Sequence, residues 1–171
     1  MELLAETFKE YSKRLSSMGL KELGEGAFGK VFQHPADRDI AVKIVRRDDA
    51  NRRWLKFCQS HQDNPFLPKL YGVNTLDVED SKYAYAVFME KLKPAPLYKF
   101  VSFSEDIADS LRKEGHPVSP KSFWKDCANF SKDNNLKEVA TFFAKALGRL
   151  DISMHNVMLR GKQIVFVDPL A

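Results

Sequence analysis

The sequence predicts an α+β protein with a strand-rich half to about residue 92 and a helical half from residue 93. Three observations predict it. Residues 20–47 hold short β-branched runs, LKELGEG, GKVFQHP and RDIAVKIVRR, broken by Gly or by Pro-Ala-Asp-Arg. Composition changes at Lys-Pro-Ala-Pro, 93–96, after which apolar residues recur at helical spacing. Near the end, VMLRGKQIVFV offers two strand-like runs either side of a Lys-Gln turn.

Each element follows from local pattern. Leu3, Leu4, Phe8, Tyr11 and Leu15 fall on one face of an opening helix, residues 3–17. After the three strand runs, residues 48–60 return to helical spacing with Trp54, Leu55, Phe57 and Cys58 apolar. NPFLPKLYGV is a proline-punctuated loop entering a strand, and KYAYAVFMEKL is a further strand by its aromatic and β-branched content. In the second half Ser104 is the expected N-cap of a helix through EDIADSLRKEG. Ser119-Pro120 is the N-cap and N1 pair of a second helix to about Asn129, and NLKEVATFFAKALGRL forms the last and most apolar one.

Composition excludes several classes. Apolar content of 44% with 29% charged residues is that of a soluble globular chain able to bury a core. A net charge of +4 is spread along the sequence, and Arg46-Arg47 with Arg52-Arg53 reads as a solvated helix face, so nucleic-acid binding is not expected. Cys58 and Cys127 lack metal-ligand or disulfide spacing and are expected as free core thiols. No apolar run reaches the ~18 residues a membrane helix needs, and MELLAETFKE is too acidic for a secretory signal. A soluble cytoplasmic protein without membrane contact is the expectation.

Two stretches carry chemistry. LGEGAFGKVF places Gly24, Gly26 and Gly29 in G-x-G-x-x-G spacing. One reading is a tight hairpin; the other is a flap whose backbone N–H groups approach phosphates. A dinucleotide fold needs a helix after the glycines, whereas here a strand follows. Fourteen residues past Gly29, Lys43 stands among Ile40, Ala41, Val42, Ile44 and Val45. It is either an edge-strand lysine facing water or an inward ammonium that needs an anion. The second stretch, LDISMHNVMLRGKQIVFVDPLA, sets Asp151, Asn156 and Asp168 around the terminal hairpin. Asp and Asn oxygens are hard ligands suited to Mg²⁺. His155 is expected to pack or stabilise a turn, and His34, His61 and His116 carry no functional signal.

GEGAFGKV followed by IAVK resembles the N-lobe signature of the protein-kinase fold. The resemblance implies a minimal two-lobed kinase-like fold, with a strand-rich N-lobe over 1–92 and a reduced helical C-lobe over 93–171 ending at the metal-binding Asp. It implies ATP and Mg²⁺ as cofactors. Gly24, Glu25, Gly26, Ala27, Phe28, Gly29, Val31, Ala41 and Lys43 would line the nucleotide. FMEKL resembles the hinge, with Met89 at the gatekeeper position and the backbone of Glu90 and Leu92 towards adenine. The five-residue step from Asp151 to Asn156 and the ribbon to Asp168 resemble the catalytic Asp and the two metal ligands.

LGEGAFGKVFQHP, WLKFCQSHQDNPFLPKLYGV and LDISMHNVMLRG ending in VDP are similar to the early serine/threonine kinases of short-tailed coliphages. That family implies phosphorylation of host transcription, translation and RNA-processing proteins, host transcription shut-off, and action on its own hydroxyls as well. The pattern also departs from protein kinases. Residues 48–63 hold no glutamate to pair with Lys43, leaving Asp48, Asp49 or Gln59. Arg149-Leu150 replaces His-Arg, Ser153 stands where a lysine is usual, and Asp168-Pro169-Leu170 replaces Asp-Phe-Gly. No activation segment follows before Ala171, which leaves open a truncated chain or a minimal fold that recruits substrate by another surface. Two alternatives stand beside the protein kinase: a pseudokinase that inhibits a host target without catalysis, and a small-molecule phosphotransferase of the aminoglycoside or choline kinase type.

Overall fold

The computed structural model describes residues 8–26, 29–46, 49–76, 84–116, 118–146, 150, 152 and 156–169. The chain divides into two compact units, Met1–Ser60 with Lys69–Lys91, and His61–Pro68 with Leu92–Ala171. Secondary structure is α+β in composition.

The first unit is built on one antiparallel sheet of β1 (Glu22–Gly26), β2 (Gly29–Gln33), β3 (Ile40–Arg46), β4 (Leu70–Leu76) and β5 (Ala84–Glu90), in the order β1-β2-β3-β5-β4. Because side chains alternate along a strand, β3 sends Val42 and Ile44 to one face and Ala41, Lys43 and Val45 to the other. The first face buries Phe32, Val42, Ile44, Ala84 and Ala86, with Leu15, Leu20, Leu76 and Phe88 packed against them. Leu15 belongs to α1 (Phe8–Ser17), so the amphipathic opening helix covers that face. Residues 3–7 of the expected helix lie outside the described residues. α2 (Asp49–Ser60) occupies the connection between β3 and β4 and buries Trp54 and Cys58.

The second unit combines α3 (Leu97–Lys113), α4 (Phe123–Phe130) and α5 (Asn134–Lys145) with a small sheet of β6 (Lys93–Pro94), β7 (Val157–Arg160) and β8 (Gln163–Phe166), in the order β6-β7-β8. Its core centres on Phe166, whose ring lies 5.1 Å from Phe143, 5.5 Å from Trp124, 6.4 Å from Phe103 and 6.5 Å from Phe100. Edge-to-face and tilted geometry dominates, as expected of aromatic quadrupoles.

Several local expectations are corrected. The first helix of this unit begins at Leu97, seven residues before Ser104, with Pro96 at its N-cap. Ser104 is mid-helix, and its hydroxyl donates to the Phe100 carbonyl at 2.9 Å. The apolar pair Phe100 and Phe103, packed on Phe166, carries the helix back past the apparent cap. Likewise Ser119-Pro120 does not open a helix. The Ser119 carbonyl and hydroxyl both accept from the Ser122 N–H, closing a turn, and α4 starts after Ser122. α5 starts where Asp133 caps Asn135 and Leu136, and it ends at Lys145. The terminal turn is Gly161-Lys162, with Gly161 at φ 63°, and Gln163 belongs to β8. β6 was too short for periodicity to reveal.

His61–Pro68 lies in the middle of the strand-rich sequence yet belongs to the second unit. Asn64, 3% exposed, explains why. Its amide donates to the Asn135 carbonyl (2.8 Å) and to Glu138 Oε2 (3.1 Å), while its Oδ1 accepts from the Phe66 N–H (3.0 Å). Arg160 donates to the Pro65 carbonyl (3.1 Å) and the Leu67 carbonyl (2.8 Å), and the Phe166 N–H donates to Phe66 (2.9 Å). The β7–β8 hairpin thus satisfies the carbonyls of Pro65, Phe66 and Leu67, while the Asn64 side chain ties the segment to α5. No helix among the described residues is long and apolar enough to cross a membrane.

Candidate active site

In the first unit the glycine stretch forms the β1–β2 hairpin, with Gly26 opposite Gly29 and Glu25 opposite Lys30. Ala27 and Phe28, between them, lie outside the described residues. The glycines differ in what they do. A Cβ on Gly29 would fall 2.3 Å from the Ile44 carbonyl oxygen, so this glycine lets β2 lie against β3. A Cβ on Gly24 would meet nothing within 4 Å. Glu25 is held by Lys30, whose ammonium lies 3.1 Å from Glu25 and 3.4 Å from Glu22. The hydrogen bond that Lys30 donates to Glu25, foremost, raises the Lys30 pKa; exposure keeps the pair weak.

Lys43 is half-buried at the centre of β3, directly opposite Val31 on β2 and Val87 on β5. It is not an edge-strand lysine. Val31, Ala41 and Lys43 share one sheet face, as does Met89, which pairs with Ala41. On α2 the fully buried Cys58 thiol feels this ammonium. Burial pushes the thiol well above its ordinary range, and Lys43 lowers it by less. α2 carries one acidic residue, Asp49, whose carboxylate is exposed and paired with Arg52 at 2.9 Å. Asp48 lies outside the described residues, and Gln59 is exposed. At the end of β5 the Glu90 N–H donates to the Lys69 carbonyl, while its carboxylate accepts from the Lys69 N–H. The Glu90 side chain therefore ties β5 to the approach of β4. Leu92 lies two residues beyond β5, in the second unit, half-buried.

In the second unit Asn156 and Asp168 flank the open end of the β7–β8 hairpin. The Val167 N–H donates to the Asn156 carbonyl at 2.9 Å, so Asn156 stands across from Val167 and Asp168 follows one residue on. Phe166, two residues before Asp168, is locked among four aromatic rings. Hard oxygen donors on a rigid hairpin fit Mg²⁺, which takes few protein ligands and completes its shell with water and phosphate. Among the described residues no group of three or more His, Cys, Asp or Glu side chains gathers as a metal site. Asp151, Ser153 and His155 lie outside the described residues.

The structure thus brings Val31, Ala41 and Lys43 together in one unit, and Asn156 with Asp168 in the other. Sequence reasoning did not find Asn64, Arg160 or Phe166, which fix the second group. Only Asn64, ahead of a proline at the end of a helical pattern, left a trace. No curated protein sequence matches the chain. A family model described as Bacteriophage T7 protein kinase 0.7 matches residues 4–171. With nearly every residue inside that match, the chain belongs to the bacteriophage T7 protein kinase family.

Proposed function

We propose that the chain is an ATP- and Mg²⁺-dependent serine/threonine protein kinase with a minimal two-lobed kinase-like fold. Its substrates are host proteins of transcription, translation and RNA processing, and their phosphorylation contributes to transcription shut-off. One observation carries the reading: the order β1-β2-β3-β5-β4, with α2 on the β3–β4 connection, sets Lys43 on a face with Val31 and Ala41 behind a glycine hairpin. That arrangement fits an N-lobe over 1–92, less His61–Pro68 and Leu92 of the second unit, and the Asn156–Asp168 hairpin fits a C-lobe over 93–171.

Phosphoryl transfer asks the protein mainly for position and electrostatics. Lys43 would hold the α/β-phosphates beneath the backbone of Gly24, Glu25, Gly26, Ala27, Phe28 and Gly29. Adenine would meet the backbone of Glu90 and Leu92. Asp151 would orient the acceptor hydroxyl and take its proton. Asn156 and Asp168 would hold Mg²⁺, which supplies charge neutralisation at the phosphates. The enzyme would work in the host cytoplasm without membrane or nucleic-acid contact.

A second reading, a nucleotide-binding protein that inhibits a host partner without chemistry, draws support from α2. Its single carboxylate is Asp49, which is exposed and paired with Arg52. Labelled ATP, Mg²⁺ and host lysate, incubated with the wild type and with Asp151→Asn and Lys43→Ala variants, separate the two. Labelled polypeptides that vanish with both variants support the kinase. Nucleotide binding with no label transferred supports the inhibitor, and label confined to small metabolites points to a small-molecule phosphotransferase.

A further inference from the structure

The first turn of α3 leaves apolar groups in water. Leu97 is 55% exposed, Tyr98 65% and Val101 43%, with Pro94 and Pro96 exposed just before them. These are not stray surface residues. The same helix buries its other side, with Phe100 and Phe103 against Phe166 and Leu111 in a second core cluster. The exposed side therefore has no packing role in its own unit, and contiguous apolar surface of this kind marks contact with another molecule.

Charge around the patch is ordered. Lys93 is exposed before the patch and Lys99 within it, and the Lys99 ammonium lies 5.5 Å from the Tyr98 ring. From Leu92 to Ser104 the chain holds no carboxylate, while exposed Glu105, Asp106 and Asp109 follow one to two turns further along α3. Position matters too. The Ala95 N–H donates to the Val157 carbonyl at 3.3 Å, and Lys93 pairs with Leu159. Backbone dimensions then keep the Cα of Leu97 within about 16 Å of the Cα of Asn156.

We propose that this face of α3 is a docking surface for the protein substrate. Its occupant is a polypeptide segment with a bulky apolar anchor flanked by carboxylates. The anchor lies on Leu97, Tyr98 and Val101, and the carboxylates meet Lys93 and Lys99. This rests on the kinase reading for the occupant's identity as substrate, but docking can be measured without any transfer.

Two fluorescein-labelled serine peptides serve as probes, identical except that one carries a Glu-Glu-Leu-Leu-Glu segment and the other Lys-Lys-Leu-Leu-Lys. The acidic probe should bind the full chain at least tenfold more tightly by anisotropy, and as a substrate show a KM lower to match with kcat unchanged. Tyr98→Ser with Val101→Ser should abolish that advantage, and Lys93→Glu with Lys99→Glu should reverse it. All four positions are exposed, and a melting curve identical to wild type confirms that these variants are folded. Equal binding of both probes, or an advantage untouched by the variants, overturns the proposal. So does a concentration-dependent dimer in sedimentation equilibrium that the Tyr98/Val101 variant dissolves, since the face would then belong to a second copy. Selective binding with no phosphate transfer from any nucleotide upholds the docking surface and removes the kinase reading instead.

Discussion

Gly24 and Gly29 belong to one motif, but the structure gives them different duties, and alanine at each separates them. At Gly29 the added methyl would lie 2.3 Å from the Ile44 carbonyl oxygen and 3.2 Å from two further β3 backbone atoms. Reaching even a 3.0 Å contact asks β2 and β3 to part by about 0.7 Å, and a close-packed sheet resists that. The obstacle is main chain, so no rotamer can relieve it. Overpacking of this kind costs about 1–3 kcal/mol, which lowers the melting temperature of a chain this size by roughly 3–10 °C. At Gly24 the methyl enters open space, and stability should change by less than about 0.5 kcal/mol. If the hairpin backbone approaches phosphates, that methyl stands in the ligand's way, and the KM for ATP should rise about tenfold, or about 1.4 kcal/mol. Thermal melts by circular dichroism and initial rates against ATP measure both. A Gly29→Ala protein that melts with the wild type refutes the close β2–β3 approach. A Gly24→Ala protein with unchanged stability and unchanged ATP dependence refutes the flap.

Two further predictions concern the second unit. Asn64→Ala leaves the Phe66 N–H without its acceptor and removes both donors to the start of α5, so urea unfolding should show a loss of about 2–4 kcal/mol; a loss below 0.5 kcal/mol would show that water replaces the amide. Burial pushes the Cys127 thiol up to about 12, so between pH 9 and 12 the unfolded chain releases a proton that the folded chain keeps. Stability should therefore fall through that window by at most about 1.4 kcal/mol per pH unit from this group, and Cys127→Ala should flatten the slope.

What the sequence disclosed was whatever is local. Alternation around Lys43 and the Gly24–Gly29 spacing lie within one hairpin and one strand, where periods of two residues are read directly. Helix starts were less legible. Ser104 and Ser119 have the chemistry of caps, but Phe100 and Phe103 gain more by packing on Phe166 than Ser104 would by capping. The bonds of Asn64 reach partners 71 and 74 residues away, and those of Arg160 reach back 95 and 93. No spacing rule spans such distances, so the placement of His61–Pro68 in the second unit was invisible. Asp168 shows both sides of this: its residue type was legible, while the aromatic cage that fixes its strand was not.

The electrostatics of the Lys43 face ties the fold to the proposed chemistry. Four described carboxylates of its unit have partners of their own. Asp49 pairs with Arg52 in solvent, and Glu22 and Glu25 hold Lys30, which alternation places on the opposite face from Val31. Glu90 accepts from the Lys69 backbone. Around Lys43 stand Val31, Val87 and a thiol whose burial keeps it protonated. The strand therefore sets a half-buried ammonium between aliphatic neighbours, where the phosphates of a nucleotide would meet it. Lys43→Met keeps the length and the packing and removes the charge. Stability should shift by no more than about 1 kcal/mol, while nucleotide affinity drops at least tenfold. Asp49→Asn, beside it, should alter neither quantity. A Lys43→Met protein that unfolds several degrees early while binding ATP normally would mean that the ammonium serves the fold, and the phosphate role would pass to another residue.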